Sequence, residues 1–387
     1  MTTSPAERPS PEPRHERTEA TKPGATGATG THQTIVIQPA ATSRKWLTRL
    51  LAVGLLAAIA WIAVVEAQYS KYFGDATPPA ERFHSGQRDA TDKIALIEIR
   101  GTIMPPFTDR ILKAIRWATD DDQVKGVVVV IDSPGGLVAD SHEIYHRLKQ
   151  LGTRKPVYAA MRRMAASGGY YVAMGTGSEG LIFAEPTTWT GSIGVIIPRY
   201  EVQRLAEDIG VKFDPLKTGE FKDALSPFKE MTGPERELWT SIMQEAFGKF
   251  LDVIAENRSD LERSEVTDAD GQPRSVLLSR RTGSESPTNL ASGQIFTADQ
   301  ALEAGLVDRI GFLDDAVQAL QEKLALKDVR VVRYDFPQGL LMDLVFGESG
   351  VPNAQGLSPL QWQTLIDAAV PRAWYHFSAL PGLPSSY

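Results

Sequence analysis

Two glycine-containing turns carry the residues best suited to chemistry. In the first, Ser167 lies among small residues, so that a substrate carbonyl could approach both its hydroxyl and the N–H of Gly168. The second turn, residues 132–136, follows the most hydrophobic predicted strand and opens a predicted helix, which leaves backbone N–H groups unpaired. We therefore interpret Ser167 as a candidate nucleophile and the second turn as a candidate oxyanion hole. Taken alone, the second turn would equally suit a phosphate or serve as a plain connection.

A serine nucleophile requires a base, and the histidines are poorly placed to supply one. Of the six histidines, only His142 and His146 lie inside the predicted domain. Their spacing of four residues on one helix could hold a metal ion, but no carboxylate-bearing motif accompanies them. We therefore predict an exposed helical face there, with no metal and no cofactor. The absence of cysteine excludes a thiol nucleophile and disulfides.

The segment 217–228 offers a lysine base instead. It contains Lys217 and Lys222 in a turn-rich stretch. A lysine that acts as a base has to be neutral, so burial must lower its pKa. We expect three neighbouring apolar side chains to supply that burial, namely Phe221, Leu225 and Phe228. The residue types alone leave the choice between the two lysines open.

Five motifs follow one another in the order found in the signal peptide peptidase A family. They are residues 133–136, 167–171, 190–195, 217–228 and 296–308. The first two read Ser-Pro-Gly-Gly and Ser-Gly-Gly-Tyr-Tyr, and five ordered motifs are hard to obtain by chance. The chain therefore resembles that family from about residue 94 to about residue 332.

The resemblance implies an active site and an assembly. It implies Ser167 as nucleophile and Lys222, rather than Lys217, as general base. It also implies oxyanion-hole donors at Gly136 and Gly168. Single-repeat members of the family join an N-terminal membrane anchor to one protease domain, and they form a dome-shaped homo-oligomeric ring in which serine and lysine come from neighbouring protomers. The expected substrates are signal peptides left in the membrane and other short or unfolded polypeptides.

Predicted strands and helices alternate along the chain, and this α/β domain must position the candidate residues. The family resemblance implies that its fold is crotonase-like (ClpP-like). Continuous apolar runs predict strands that are buried on both faces of a sheet. The predicted strands are residues 94–99, 127–131, 157–160 and 193–197. The predicted helices are residues 109–118, 138–151 and 234–255, with Thr232 and Glu235 at capping-box spacing before the last.

Composition shifts predict five regions along the chain. They are a disordered tail (1–43), a transmembrane anchor (44–67), a polar stalk (68–92), a peptidase domain (93–333) with a polar insertion (258–292), and a C-terminal extension (334–387). Arg44, Lys45 and Arg49 precede the apolar run and Glu66 follows it. The positive-inside rule then predicts a single-pass protein of the bacterial inner membrane, with a cytoplasmic N-terminus and an extracytoplasmic peptidase domain. A cleaved signal peptide is the alternative.

Charge and motif content narrow the classes of function. A net charge of −7 and a pI near 5.5 argue against a nucleic-acid partner, because such proteins carry basic surfaces. A serine peptidase competes with two other classes, an enzyme of crotonase type that acts on acyl-thioesters and an inactive membrane scaffold of the same fold. A scaffold should have lost Ser167 or Lys222, and the chain has both.

Overall fold

The computed structural model describes residues 45–73, 79–268, 271–281, 288–335 and 374–376. Side chains are described at 46 and 48–64 within the first of these ranges, and only the backbone is described for 374–376. The predicted tail (1–43) and most of the predicted C-terminal extension (334–387) lie outside the described residues.

Helices and strands alternate along most of the chain. The helices are α1 (Lys45–Phe73), α2 (Phe107–Asp120), α3 (Val138–Gly152), α4 (Gly168–Ala173), α5 (Gln203–Asp208), α6 (Gly233–Asn257), α7 (Ala298–Ala304) and α8 (Leu313–Lys323), with short 3-10 helices at Met174–Thr176 and Glu220–Asp223. The strands are β1 (Ala80–Gly86), β2 (Lys93–Arg100), β3 (Val124–Ser133), β4 (Gly135–Leu137), β5 (Val157–Ala166), β6 (Ile182–Ala184), β7 (Trp189–Gly191), β8 (Leu261–Thr267), β9 (Pro273–Ser279), β10 (Ile295–Thr297), β11 (Arg309–Ile310), β12 (Arg330–Asp335) and β13 (Trp374–His376).

Within the described residues, nine strands form one mostly parallel sheet. Its main order is β1-β12-β2-β3-β5-β6-β11, with β7 paired to the end of β5 and β10 paired to β7. Only the pairs β1–β12 and β7–β10 run antiparallel. The carboxyl ends of parallel strands meet at one edge of a sheet, and in this sheet the turns that follow β3 and β5 are the two predicted to carry chemistry.

Both faces of the sheet are buried, which explains the continuous apolar runs. Along β2, Ile97 and Ile99 face a core shared with α2, α3 and α6, whereas Ile94 and Leu96 face a second core shared with α8. The predicted strands at 94–99, 127–131 and 157–160 are confirmed. The structure is therefore a mixed α/β fold dominated by one sheet, as predicted.

The predicted helices are also confirmed, with ends that differ by a few residues. The capping box before α6 is present: Glu235 N–H donates to Thr232 Oγ1, and Thr232 N–H donates to the Glu235 carboxylate at 2.9 Å. Helix α7 begins with an equivalent box formed by Thr297 and Gln300.

Three regions differ from the sequence-based predictions. Residues 193–197 do not form a strand: the ladder ends at β7, and Ser192 then turns the chain with φ 49°. Part of the predicted stalk forms β1, which pairs with β12. The predicted polar insertion contains the antiparallel hairpin β8–β9, whose Leu261 and Leu277 are buried in the core.

Helix α1 contains 29 residues and covers the predicted anchor. Among the residues that the structure describes, no helix is both long and apolar enough to cross a membrane.

A buried ion pair ties α6 to the turn between α7 and β11. The Arg258 guanidinium donates to both carboxylate oxygens of Asp308 at 2.8 Å and to the carbonyl of Gly305 at 2.9 Å. Asp308 also accepts a hydrogen bond from the N–H of Ile182 in β6. Only 7% of the Arg258 side chain is exposed, so removal of its partner would leave a buried charge unpaired.

We therefore expect Asp308→Asn to lower the free energy of unfolding by roughly 3 kcal/mol, as measured by urea denaturation. The control is Glu245→Gln, which removes an exposed ion pair to Lys249 on α6 and should change stability little. Equal effects of the two substitutions would show that the buried pair does not hold the domain together.

Candidate active site

Ser167 lies at a sharp turn between β5 and α4, in a conformation that is unusual for serine. Its backbone angles are φ 54° and ψ −115°. Ser167 N–H donates to the carbonyl of Gly191 at 2.8 Å, and Tyr171 N–H donates to the carbonyl of Ser167 at 2.9 Å. A positive φ at a residue with a Cβ costs on the order of 1–3 kcal/mol, and such strain is concentrated at functional sites.

The Ser167 hydroxyl is buried and has no hydrogen-bond partner among the described residues. The residue is 1% exposed, and its Oγ makes no hydrogen bond to that part of the chain. An unpaired buried hydroxyl costs about 1–3 kcal/mol. The hydroxyl is therefore able to pair with a further group.

Two tyrosines hold the short helix that follows Ser167. The Tyr170 hydroxyl donates to the carbonyl of Leu306 at 2.9 Å, and the Tyr171 hydroxyl lies 2.7 Å from Nδ1 of His142. Burial raises the pKa of both tyrosines, so that each remains a neutral donor. The two hydroxyls fix α4 to elements on opposite sides of it, namely α3 and the turn after α7.

His142 lies on the exposed helical face that we predicted, and it also contacts the Tyr171 hydroxyl. Burial lowers its pKa, which favours the neutral ring that can accept the proton of Tyr171. His146 is exposed and pairs with Gln150. Within the part of the chain that the structure describes, no three histidine or carboxylate side chains are grouped as metal ligands.

The turn after β3 is fixed beside Ser167. Ser133 Oγ donates to the carbonyl of Gly101 at 2.6 Å and accepts a hydrogen bond from Gly135 N–H at 3.1 Å. A Cβ at Gly169 would lie 2.9 Å from the Ser133 carbonyl oxygen, so the absence of a side chain lets α4 approach this turn. The structure therefore brings together the turns that carry the predicted oxyanion donors, Gly136 and Gly168.

Gly136 is held between two backbone segments. On one side Ile103 bridges it: Ile103 N–H donates to the carbonyl of Gly135, and Leu137 N–H donates to the carbonyl of Ile103, both at 2.8 Å. A Cβ at Gly136 would lie 2.0 Å from the Ile103 carbonyl oxygen, so only glycine fits. On the other side β4 pairs with β13.

Lys222 lies on the exposed 3-10 helix Glu220–Asp223, and the structure does not pair it with Ser167. The burial that we expected from neighbouring side chains is absent within the chain, because Phe221 and Phe228 are each about 40% exposed. That prediction was wrong for the single chain. Apart from the 3-10 helix Glu220–Asp223, the segment has no regular secondary structure, and Lys222 itself is exposed.

The other lysines of this segment have partners. Lys217 and Lys229 both contact the Asp223 carboxylate, at 2.7 and 3.1 Å, and Lys229 also contacts Glu235 at 2.6 Å. The hydrogen bond from Lys217 lowers the pKa of Asp223, which keeps that carboxylate ionised. Lys217 is thus engaged in an ion pair while the neighbouring Lys222 side chain faces solvent.

The arrangement as a whole is that of a serine hydrolase. A strained serine follows a parallel strand, its hydroxyl has no partner, and glycine N–H groups lie beside it. Comparison with known proteins agrees. The model of peptidase family S49 matches residues 149–275 and 273–327.

Related proteins are described as proteases. A Synechocystis protein provisionally described as a protease is 36% identical over 259 residues, which cover 66% of this chain and 84% of the relative. An Enterococcus faecium protein provisionally described as signal peptide peptidase SppA is 33% identical over 224 residues, 58% of each chain. A chloroplastic serine protease SPPA of Arabidopsis thaliana is 29% identical over 294 residues, 72% of this chain and 39% of the relative. The chain belongs to peptidase family S49, the signal peptide peptidase A family, and is a serine peptidase.

The close contact at Gly136 yields a test of the site. Gly136→Ala should push the Ile103 bridge and the Gly136 N–H out of place, and we expect kcat on a peptide substrate to fall about 100-fold or more. Gly233→Ala is the control, since a Cβ there meets no atom within 4 Å. Full activity of Gly136→Ala, with an unchanged circular dichroism spectrum, would show that this turn does not contribute to catalysis.

Proposed function

We propose that the chain is a membrane-anchored endopeptidase that uses a Ser/Lys dyad. Ser167 is the nucleophile, Lys222 the general base, and the N–H groups of Gly136 and Gly168 form the oxyanion hole. The observation that carries this proposal is the strained, buried Ser167, whose hydroxyl has no partner in the part of the chain that the structure describes. A nucleophile that is otherwise fully positioned needs only a base to become active.

The chemistry follows from these roles. The neutral amine of Lys222 accepts the proton of the Ser167 hydroxyl as Oγ attacks the scissile carbonyl. The Gly136 and Gly168 N–H groups stabilise the oxyanion of the tetrahedral intermediate. The ammonium of Lys222 then protonates the leaving amine, and a water molecule activated by the same lysine hydrolyses the acyl-enzyme.

We further propose that the dyad is completed between two copies of the chain. Lys222 is exposed and lies in a segment with an unusual density of exposed apolar side chains, including Tyr200, Leu205, Ile209, Phe213, Leu216 and Phe228. Exposed apolar surface of this extent is typical of a protein interface. Burial in that interface would also desolvate the lysine, which its neighbours within the chain do not do. A closed ring of identical subunits repeats such a contact at every interface.

The fold, the anchor and the substrate complete the proposal. The parallel sheet with a nucleophile turn after β5 suits a crotonase-like (ClpP-like) domain. The uninterrupted apolar run 50–65, with Leu50, Leu51 and Ile62 more than half exposed, supports α1 as an anchor in the bacterial inner membrane, with the peptidase domain outside the cytoplasm. An anchored site suits peptides that remain in the bilayer, such as cleaved signal peptides, and other short or unfolded chains.

The dyad is tested by substitution. Ser167→Ala and Lys222→Ala should each lower kcat/KM by at least about 1,000-fold, because neither residue of a dyad is effective in catalysis without the other. Lys217→Ala and His142→Gln are the matched controls and should retain most of the activity. An inactive Lys217→Ala variant beside a Lys222→Ala variant that retains most of the activity, at equal thermal stability, would assign the base to Lys217.

Sharing of sites is tested by mixing subunits. Inactive Ser167→Ala and inactive Lys222→Ala proteins should regain activity when mixed and allowed to exchange, because some interfaces then join an intact serine to an intact lysine. At equal amounts, about one quarter of wild-type activity is expected if subunits mix at random. If subunit exchange is demonstrated by labelled protein and no activity returns, each site is built within one chain.

A further inference from the structure

Strand β5 contains an irregularity shortly before its end. In its ladder with β3, Ile131 lies opposite Met161, but Ser133 lies opposite Ala165. One residue of β3, Asp132, therefore faces three residues of β5. Such a β-bulge bends the strand and changes the register beyond it, and bulges are frequent beside active sites, where they redirect a side chain. Here the shifted register decides how the proposed nucleophile, which follows β5, lies relative to the turn that follows β3.

The other edge of β5 changes its partner at the same place. Strand β6 pairs with β5 as far as Met161, and β7 pairs with it from Met164 onward. Arg162 and Arg163 thus lie outside the ladders that the structure describes on both edges of β5. Ladder hydrogen bonds normally fix a strand against its neighbours. Side-chain contacts must therefore help to fix these two residues and the segment that leads from them to Ser167.

An ion pair crosses the bulge from β5 to the end of β3. Nε and Nη2 of Arg163 both donate to one carboxylate oxygen of Asp132, at 2.9 and 2.6 Å. The Asp132 side chain is 9% exposed, and its backbone carbonyl accepts a hydrogen bond from Gly101 N–H at 3.0 Å. Asp132 is thus held to β5 by its side chain and to the residue after β2 by its main chain. Charge-assisted hydrogen bonds are about twice as strong as neutral ones.

We propose that Asp132 and Arg163 are a positioning pair, which holds the nucleophile and the oxyanion donors at the distance that catalysis requires. Ser167 is the fourth residue after Arg163, and Gly136 is the fourth residue after Asp132. The pair therefore connects the bases of the two turns at the point where the β3–β5 ladder is interrupted. The inference rests on the proposed roles of Ser167 and Gly136. It adds two residues that act through the turns rather than on the substrate.

The exposure of Arg163 separates this role from a contribution to stability. Its side chain is 69% exposed, and ion pairs with such exposure contribute little to the free energy of unfolding. In contrast, a displacement of reacting groups by about 1 Å can lower a rate by about 100-fold. Loss of the pair should therefore slow catalysis far more than it destabilises the fold.

The adjacent arginine provides a matched control. Arg162 forms an ion pair with Glu185 at 3.6 Å, and the Thr188 hydroxyl donates to the Arg162 carbonyl. Both partners lie between β6 and β7, on the edge of β5 opposite β3. Arg162→Gln thus removes the same charge one residue away and leaves the contact to Asp132 in place.

Kinetics on a fluorogenic peptide test the pair in the full chain. Asp132→Asn and Arg163→Gln should each lower kcat by about tenfold, with KM within about twofold of wild type, because the groups that bind substrate remain. The double variant should be no slower than the slower single variant, since the two residues act as one unit. Arg163→Lys keeps the charge and should lose less, and Arg162→Gln should keep the wild-type kcat. A wild-type kcat in Arg163→Gln, or a loss of kcat that only accompanies unfolding, would overturn the inference.

Inhibitor binding gives a second readout, which a purely structural role would not change. A peptide aldehyde forms a tetrahedral adduct: Ser167 Oγ adds to the aldehyde carbon, the hydroxyl proton passes to the base, and no group leaves. Because the adduct places its oxygen in the oxyanion site, its dissociation constant should rise in Arg163→Gln by the factor by which kcat falls. The corresponding peptide alcohol forms no adduct and should bind wild type and variants equally. Equal aldehyde affinity in wild type and Arg163→Gln would contradict the inference.

Failure of the proposed function gives a different result. A folded wild-type protein that cleaves no peptide, and binds the aldehyde no more tightly than the alcohol, would contradict the peptidase mechanism and with it the inference. A wild-type protein that is active and binds the aldehyde tightly, beside Asp132→Asn and Arg163→Gln variants that match it, would contradict the positioning pair alone.

Discussion

The structure depends on holding one serine in a conformation that serine does not adopt freely. Ser167 has a positive φ, is almost fully buried, and has a hydroxyl that no other described residue pairs with. Each of these features is unfavourable alone, so the surrounding structure must fix them together. The end of β5, the Gly191 carbonyl and the tyrosine hydroxyls of α4 do so, and they connect this residue to both neighbouring strands and to the helical layer. Under the proposed mechanism, such a serine is organised for attack before any substrate arrives.

The proposed base, unlike Ser167, is exposed to solvent. Lys222 lies on an exposed segment that contains ion pairs around Asp223 and many exposed apolar side chains. One half of the proposed dyad is thus rigid and buried, while the other is presented to solvent. If both halves meet only in an assembly, an isolated subunit has no activity, and proteolysis depends on subunit concentration.

The sequence predicted the sheet and the sharp turn at Ser167 well because both depend on local patterns. Continuous apolar runs marked β2, β3 and β5, and small residues around Ser167 marked the turn that needs close backbone approach. The capping box of Thr232 and Glu235 was likewise predicted from the three-residue spacing between them. The pairing of β1 with β12 and the hairpin β8–β9 were not predicted. All four strands are polar on one side. Strands β1 and β12 are also distant from each other in the sequence, and β8 and β9 bury few residues. The run 193–197 looked like a strand, but the left-handed turn at Ser192 cannot be read from residue types.

Contacts that join remote parts of the chain could not be predicted at all. Nothing in the composition of the C-terminal region indicated that Trp374–His376 would pair with Gly135–Leu137. The contact between His142 and Tyr171 was also not predicted. The two tyrosines that closely follow Ser167 were nevertheless a signal that side-chain contacts fix this short helix. The exposure of Lys222 was mispredicted because burial was inferred from neighbours in sequence, whereas burial depends on which segments pack together in space.

Covalent labelling tests whether Ser167 is the activated nucleophile that the proposed mechanism requires. Intact protein would be treated with a fluorophosphonate, which reacts with activated serines, and the adduct would be located by mass spectrometry of its peptides. The account predicts a single adduct on Ser167, no labelling of Ser167→Ala, and much slower labelling of Lys222→Ala. An adduct on a different serine, or no adduct on folded and assembled wild-type protein, would contradict it.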